Sequence, residues 1–132
     1  MKFLCLVSFT PDAFDTASPE DLRQLDDNTI EHDNWLRASG HLLIASPLAP
    51  VETGVTLGER RAVRMAEVDG PFAETKEVVG GFLLIEAASM DAAVALFEND
   101  PILKYGRMEI RPLLTDHVHS ETGQRRPDFQ AI

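Results

Sequence analysis

The sequence predicts an α+β domain in which two helices cover one face of an antiparallel sheet. Two helix signatures begin at Ser18 and Ser89, and short apolar segments bounded by turn residues lie before, between and after them. The chain of 132 residues has the length of one domain and contains no repeat or linker that divides it. We therefore predict the order strand, helix, three strands, helix, strand, without further domains.

The first strand is predicted at 3–9, and it is unusual because both of its faces are apolar. Phe3, Cys5 and Val7 alternate with Leu4 and Leu6, and a strand of this kind is buried on both sides. The segment Phe82-Leu83-Leu84-Ile85 has the same character. Two helices cover only one face, so the other face must meet water or another sheet, and its apolar residues favour another sheet. The simplest source is a second copy of the chain, which predicts a homodimer.

The first helix has clear signals at both ends. Ser18 can cap it, Pro19 suits the first helical position, and Gly40 marks its end after Ser39. At about 100° per residue, one arc of about 80° holds a set of positions that predicts the buried face. These positions are Leu22, Leu25, Thr29, His32 and Leu36.

The other elements are shorter, and their order predicts the topology. Prolines at 47 and 50 should end the second strand, because proline cannot continue a sheet ladder. The second helix should end at Asn99-Asp100-Pro101, after Ala93, Leu96 and Phe97 on one side. The later strands are predicted at 41–45, 60–68, 81–86 and 107–113, with a loop or short strand at 52–58. When the short element at 52–58 is merged with its neighbour, the order becomes βαββαβ, the ferredoxin-like arrangement.

Charge and composition restrict the partners. The formal net charge of −10 disfavours nucleic acid and anionic membranes, so small molecules and proteins remain. The single cysteine, Cys5, cannot form an intramolecular disulfide, and no segment is long enough to span a membrane. These features predict a soluble cytoplasmic protein. No cofactor or metal is predicted, because His117 and His119 fit a flexible tail and Gly80-Gly81 precedes a strand rather than a helix.

The most specific segment is Asp69-Gly70-Pro71-Phe72-Ala73-Glu74-Thr75-Lys76-Glu77. Gly70-Pro71 alone suffices for a turn, so the additional ionisable groups suggest a loop that presents charge. This block resembles the DGPF signature of the YciI-related proteins. The resemblance covers about residues 1–114 and extends to His32, Asp100-Pro101 and Arg111-Pro112-Leu113. It leaves 115–132 as a polar tail, either disordered or packed on a neighbouring subunit.

The resemblance implies a dimeric α/β barrel in which two sheets pack face to face, with His32 in a pocket between helix and sheet. Relatives closest to YciI pair this histidine with an aspartate after the second strand. No aspartate follows the second strand here, so Glu52 and Asp69 remain as alternatives. A few relatives are linked to lyase or dehalogenase-like chemistry on ring compounds. Many DGPF members are thought to accompany extracytoplasmic-function sigma factors.

The candidate catalytic group is His32, since a neutral imidazole is a natural general base near pH 7. Asp69 is the predicted orienting carboxylate, and Asp33 is disfavoured because adjacent helical residues diverge by about 100°. The predicted substrate-binding residues are Glu52, Phe72, Lys76 and Glu77. Two functions remain open. One is an enzyme that moves a proton on a small cyclic or conjugated substrate, and the other is a non-catalytic binding or regulatory module with His32 bonded to a backbone carbonyl.

Overall fold

The computed structural model describes residues 1–58, 61–64 and 76–127. It contains two α-helices, α1 at Pro19–Ala38 and α2 at Met90–Ala95. The strands of the described residues are β1 at Lys2–Phe9, β2 at Leu42–Pro47, β3 at Val55–Gly58, β4 at Arg61–Arg64, β5 at Val78–Glu86 and β6 at Arg107–Pro112. Short 3₁₀ turns occupy Val51–Thr53 and Pro101–Lys104.

The main sheet has the order β2-β5-β1-β6, and each neighbouring pair is antiparallel. With a helix after β1 and another after β5, this is the ferredoxin-like arrangement that the sequence predicts. The strands β3 and β4 form a separate hairpin. The two central strands, β1 and β5, are the ones whose sequences are apolar on both faces.

One face of the sheet carries the core. Phe3, Cys5 and Val7 of β1 belong to a single buried cluster that also includes Leu36 of α1 and Ala93 of α2, so both helices lie on this face. Phe3 and Leu36 are fully buried, and each such side chain contributes about 1.5–3 kcal/mol of hydrophobic stabilisation.

The opposite face, which we call the outer sheet face, is also apolar at its centre. It consists of Leu4, Leu6, Ile44, Phe82 and Leu84, which the strand register places together. All five are buried or half-buried. Charged residues of β6 border it, because Glu109 lies opposite Leu6 and Arg111 lies opposite Leu4. The described residues thus contain an apolar sheet face that the helices do not cover.

The ends of α1 follow from local chemistry. Ser18 accepts a hydrogen bond from the backbone N–H of Asp21, and Asp21 accepts one from the N–H of Ser18, which completes a capping box. The helix ends at Ala38, and Gly40 then adopts φ 84°, a conformation that favours glycine. The predicted buried face is correct at Leu25 and Leu36. It is wrong at Leu22, which is 37% exposed because the sheet and the core cluster lie beside the later turns of the helix.

Several boundaries differ from the prediction. The strand β2 continues through Pro47, because it is an edge strand and a proline there need not donate into the ladder. The strand β5 begins three residues earlier than predicted, at Val78. The helix α2 is only one and a half turns long, and a second short turn follows Asp100. The predicted third strand is present as β4, and its remaining residues lie outside the described ranges.

Phe9, at the end of β1, lies between two glycines. A methyl group at Gly80 of β5 would come within 2.7 Å of the Phe9 ring, and one at Gly106, just before β6, within 2.8 Å of the ring. At Gly106 it would also approach the carbonyl oxygen of Ser8 to 2.6 Å. Glycine at these two positions therefore makes room for a ring between neighbouring strands.

The chain after β6 forms a local turn up to residue 127. Val118 pairs with Arg125, and the Arg125 guanidinium donates to the carbonyl of Thr115 at 2.8 Å. Its predicted packing on a neighbouring subunit stays a prediction. In the part of the chain that the structure describes, no helix combines the length and the apolar character required to cross a membrane.

Candidate functional site

His32 lies on the buried side of α1, one turn before Leu36. Its Nε2 atom is 3.1 Å from the carbonyl oxygen of Leu96, in the turn that follows α2. The side chain is 15% exposed, which confirms the prediction that it faces inward. The contact joins residues 64 positions apart, so it links α1 to the end of α2.

The other ring nitrogen of His32 faces a carboxylate. Nδ1 lies 3.6 Å from Oδ2 of Asp100, whose side chain is only 5% exposed. This distance is within ion-pair range but beyond a normal hydrogen bond. Among the described residues, Nδ1 is a buried atom without a hydrogen-bond partner. Such an orphaned polar atom is costly in a folded protein and is often found at functional sites.

The backbone fixes Asp100 in this position. Its Oδ1 accepts a hydrogen bond of 3.0 Å from the N–H of Ile102, which caps the short turn beginning at Pro101. One carboxylate oxygen is thereby held by the backbone, and the other is directed toward His32. The Asp-Pro dipeptide that begins the 3₁₀ turn after α2 therefore also places the acid of the site.

Two aromatic side chains border the imidazole. The ring centroid of Trp35 is 5.5 Å from that of His32, and the centroid of Phe97 is 6.1 Å away on the buried side. Phe97 is 2% exposed, whereas Trp35 is 53% exposed. His32 thus lies between the core and a partly solvated tryptophan.

A second acid lies close to this pair. Burial raises the pKa of Asp33, the charge of Asp100 raises it further, and His32 acts in the opposite direction. Because the folded-state pKa is raised, ionisation of Asp33 opposes folding. The protonated carboxyl of Asp33 therefore contributes its full stabilisation below its ordinary pKa. This stabilisation is lost as the pH rises through the raised pKa.

We expect Asp33→Asn to increase the free energy of unfolding at pH 7, by less than about 1 kcal/mol because the carboxyl group is only partly buried. The gain should shrink as the pH falls toward 3, where Asp33 is protonated in both states. Urea denaturation at several pH values measures it. The control is Asp27→Asn at an exposed position of α1, and a loss of stability in Asp33→Asn at pH 7 would contradict the prediction.

Cys5 lies beneath the site, in the centre of β1. Burial raises the pKa of its thiol to about 12, and the charge of Asp100 adds to the effect. The neutral thiol is thus the form that the folded state prefers. This preference supports folding below the ordinary thiol pKa and is lost as the pH rises from there to about 12.

We expect Cys5 to be inert toward a thiol reagent such as Ellman's reagent at pH 8. A pKa near 12 lowers the thiolate fraction more than about a thousandfold relative to a free cysteine, and burial blocks access as well. The same residue should react at the ordinary rate in concentrated urea. Rapid labelling of the native protein would show that the predicted environment is wrong.

A cleft opens beside the His32–Asp100 pair. Its volume is about 440 Å³, within the roughly 300–1,000 Å³ that is usual for ligand sites. The cleft separates the first half of α1 from the chain around the 3₁₀ turn at Pro101–Lys104. Asp100 lines it and also faces His32, and Asn28 lines it one helical turn before His32. Gln24, Asn99, Lys104 and Tyr105 contribute further polar groups.

Among the described residues, the structure shows no contact between His32 and Glu52, Lys76 or Glu77. Glu77 forms an ion pair of 3.0 Å with Arg107, and Glu52 and Lys76 are exposed. Asp69, Phe72 and Glu74 lie outside the described residues. The roles of Asp69, Glu52, Phe72, Lys76 and Glu77 therefore stay predictions.

In the sequence, Asp100 marks the end of the second helix and belongs to the family pattern, but it is not among the predicted site residues. A signal was available in the sequence, because Asp before Pro caps a following turn and holds its carboxylate at a fixed position. Among the described residues, no group of three or more His, Cys, Asp or Glu side chains is arranged to hold a metal ion.

Fold and site together define a ferredoxin-like α+β domain with a buried histidine–aspartate pair beside a polar cleft. The family model of the YCII-related domain matches residues 1–115, and the chain belongs to this family, as the DGPF block predicts. An uncharacterised protein of Rhizobium meliloti (strain 1021) is 37% identical over 98 residues, which are 71% of this chain and 76% of that protein.

Among solved structures, the chain is similar to 5-chloro-2-hydroxyhydroquinone dehydrochlorinase (TftG) from Burkholderia phenoliruptrix AC1100 in complex with 2,5-dihydroxybenzoquinone. The sequence identity is 20% and the TM-score 0.45, with 86% of this chain and 93% of that chain covered. No residue role is transferred from it.

Proposed function

We propose that the protein binds a small molecule in the cleft beside His32 and that the His32–Asp100 pair exchanges a proton with it. The observation that carries this proposal is the buried Nδ1 atom, which has no hydrogen-bond partner among the described residues and faces Oδ2 of Asp100 at 3.6 Å. A histidine beside a carboxylate is the usual arrangement of a general acid–base catalyst.

Hydrogen-bond accounting explains why this pair takes up a proton. The neutral imidazole has one N–H donor and one acceptor nitrogen, and Nε2 must donate to the carbonyl of Leu96. Nδ1 then presents a lone pair to an ionised carboxylate, so two acceptors face each other. A proton delivered between Nδ1 and Oδ2 satisfies both atoms. The pair is thus a proton acceptor within the protein.

Asp100 connects this acceptor to the cleft. It lines the cleft and faces His32, so a proton taken from a bound molecule has a short route to Nδ1. The reaction class that fits is proton transfer on a small substrate. The cyclic or conjugated substrates that the family resemblance implies belong to this class. Asp69 remains the proposed second acid, in addition to Asp100.

The test is hydrogen–deuterium exchange of carbon-bound protons. A panel of small hydroxy and keto compounds, cyclic and acyclic, is incubated in D₂O with the protein and followed by ¹H NMR. We expect at least one compound to exchange faster with the wild type than with His32→Ala or Asp100→Asn. His41→Ala is the matched control, because the His41 ring contacts the backbone carbonyl of Glu86 and does not line the cleft. Equal rates with wild type and His32→Ala over the whole panel would refute the acid–base role.

A second candidate is a binding or regulatory module without turnover. The contact between Nε2 and the Leu96 carbonyl favours it, because this nitrogen is already occupied and is unavailable to a substrate. If the exchange test fails while a ligand still shifts the NMR signals of His32, the module is the better description. A link to a sigma factor belongs to this candidate and remains a prediction from the family resemblance.

We also propose that two copies of the chain associate through the outer sheet face. The half-buried members of this face, Leu4, Leu6, Ile44 and Phe82, support it, since they keep part of their apolar surface exposed opposite the helices. A sheet-to-sheet contact of this kind buries roughly 1,200 Å² or more in total.

We expect Leu6→Asp to weaken this association at least about thirtyfold, because an unpaired charge in a closed apolar interface costs about 2 kcal/mol or more. Light scattering against protein concentration measures the change. Val94→Asp on α2 is the control, because Val94 is exposed and lies on the helix side. A wild-type mass that stays at 14.6 kDa at micromolar concentration would rule out the dimer.

A further inference from the structure

The cleft beside Asp100 contains several uncharged polar groups with free hydrogen-bonding capacity. The side-chain amides of Gln24, Asn28 and Asn99 and the hydroxyl of Tyr105 all line it. None of these four groups has a hydrogen bond to another residue in the described part of the chain. Three amides supply donors and acceptors together, so they can bind a ligand that both donates and accepts.

The charged groups of the cleft are already engaged within the protein. Asp21 holds the capping box at the start of α1, and Asp100 caps the Pro101–Lys104 turn while it faces His32. The Lys104 ammonium lies 5.6 Å from the centroid of the Tyr105 ring. The pKa of Asp21 is lowered chiefly by hydrogen bonding to Ser18, and Lys104 adds to this effect. Both carboxylates of the cleft lining are therefore engaged in contacts within the protein.

The cleft also has an apolar side. Leu25 and Pro101 line it, together with the ring of Tyr105, which stacks on Phe14 with a centroid distance of 5.3 Å. This stack holds the tyrosine ring in place. A ligand with one apolar face and several hydroxyl groups at its edges can contact both sides of the cleft.

From this lining we infer that the cleft takes an uncharged molecule carrying several hydroxyl groups, of about monosaccharide size, held by Gln24, Asn28 and Asn99. The inference rests on the proposed function, because it names the ligand class of the same cleft. Anions are disfavoured further by the formal net charge of −10. Cations are disfavoured because both carboxylates already have partners: Asp21 accepts from the backbone, and Asp100 accepts from the backbone and faces His32.

The experiment uses the side-chain NH₂ signals in ¹⁵N–¹H correlation spectra of the full chain. The probes are myo-inositol and methyl α-D-glucopyranoside as neutral polyols, with succinate as the anion and putrescine as the dication. We expect a neutral polyol to shift the amide signals of Asn28 and Gln24 saturably. Asn28→Ala or Gln24→Ala should each weaken this binding about tenfold, the size of one or two lost hydrogen bonds.

Asn34→Ala is the matched control, since Asn34 is exposed on the same helix and does not line the cleft. It should leave the binding unchanged. If succinate or putrescine shifts the cleft amides and the polyols do not, the ligand class is wrong while the proposed small-molecule site stands. If neither polyol moves these signals up to about 50 mM, fifty times a millimolar Kd, the inference is overturned. The exchange activity of His32 is measured separately and can survive either result.

Discussion

Replacing Asp100 with alanine is expected to lower the free energy of unfolding by about 2–3 kcal/mol. The carboxylate is 5% exposed and faces His32, so its removal leaves the buried Nδ1 atom of His32 without a polar neighbour. The cap on the N–H of Ile102 is lost as well, and this loss accounts for about 1 kcal/mol of the total. Urea denaturation at a fixed protein concentration, followed by the fluorescence of the single tryptophan, measures the effect.

Asp100→Asn separates the two contributions. An asparagine keeps an acceptor for the N–H of Ile102 and can donate its amide N–H to Nδ1 of His32. We therefore expect it to cost less than the alanine variant, by about 2 kcal/mol. If Asp100→Ala costs less than about 1 kcal/mol, Asp100 does not hold the turn after α2 against α1. The His32–Asp100 pair then does not stabilise the fold.

Phe97→Ala should lower the free energy of unfolding by about 3–5 kcal/mol, as usual for removing a buried aromatic side chain. Phe97 is 2% exposed, belongs to the core cluster and borders the His32 ring. It also anchors the turn that supplies both partners of His32, the carbonyl of Leu96 and the carboxylate of Asp100. The cavity should therefore loosen the site, and the ¹⁵N signals of the His32 ring should broaden or shift.

Phe97→Leu is the control for this prediction. It keeps most of the apolar volume, and its cost should fall to about 1–1.5 kcal/mol. The His32 ring signals should then remain close to those of the wild type. If the leucine and alanine variants are equally destabilised, the cost does not come from the cavity. If the alanine variant leaves the His32 signals unchanged, the turn does not depend on Phe97.

The features that were predictable from sequence are those with local causes. Ser18, Pro19 and Gly40 define the ends of α1 through capping, a fixed proline φ and a positive φ, and none of these requires a distant partner. The two-sided apolar character of β1 and β5 predicted burial on both faces, and both are central strands of the sheet. Topology followed because few arrangements accommodate two helices and these strands.

The features that were missed depend on tertiary position. Pro47 was expected to lie beyond the second strand, but an edge position tolerates it, and strand order is a property of the whole sheet. Leu22 was expected to be buried from its helical phase alone, although the sheet lies beside a later part of the helix. Periodicity gives the direction of a side chain and does not show where along the helix a neighbour packs.

The candidate site also combines one feature with a local cause and one that depends on tertiary position. His32 was found because one helix face is a local pattern, and its burial is confirmed. Its acid could not be selected in the same way, since Asp100 is brought to it by the path of α2 and the turn after it. Asp69 was favoured because a rigid turn lies beside it, and Asp100 has this property too. Local rigidity therefore does not distinguish the Asp-Pro step at Asp100 from the Asp-Gly-Pro step at Asp69 as the source of the carboxylate that faces His32.

The placement of the Phe9 ring between Gly80 and Gly106 has a consequence for how the sheet assembles. A one-residue slip of β5 in one direction would place Val79 instead of Gly80 beside the ring, and a slip at the start of β6 would place Arg107 there instead of Gly106. Each side chain would enter space that already lacks room for a methyl group. The Phe9 ring thus disfavours these register shifts of the two strands beside β1, in addition to the inside–outside pattern of the sheet.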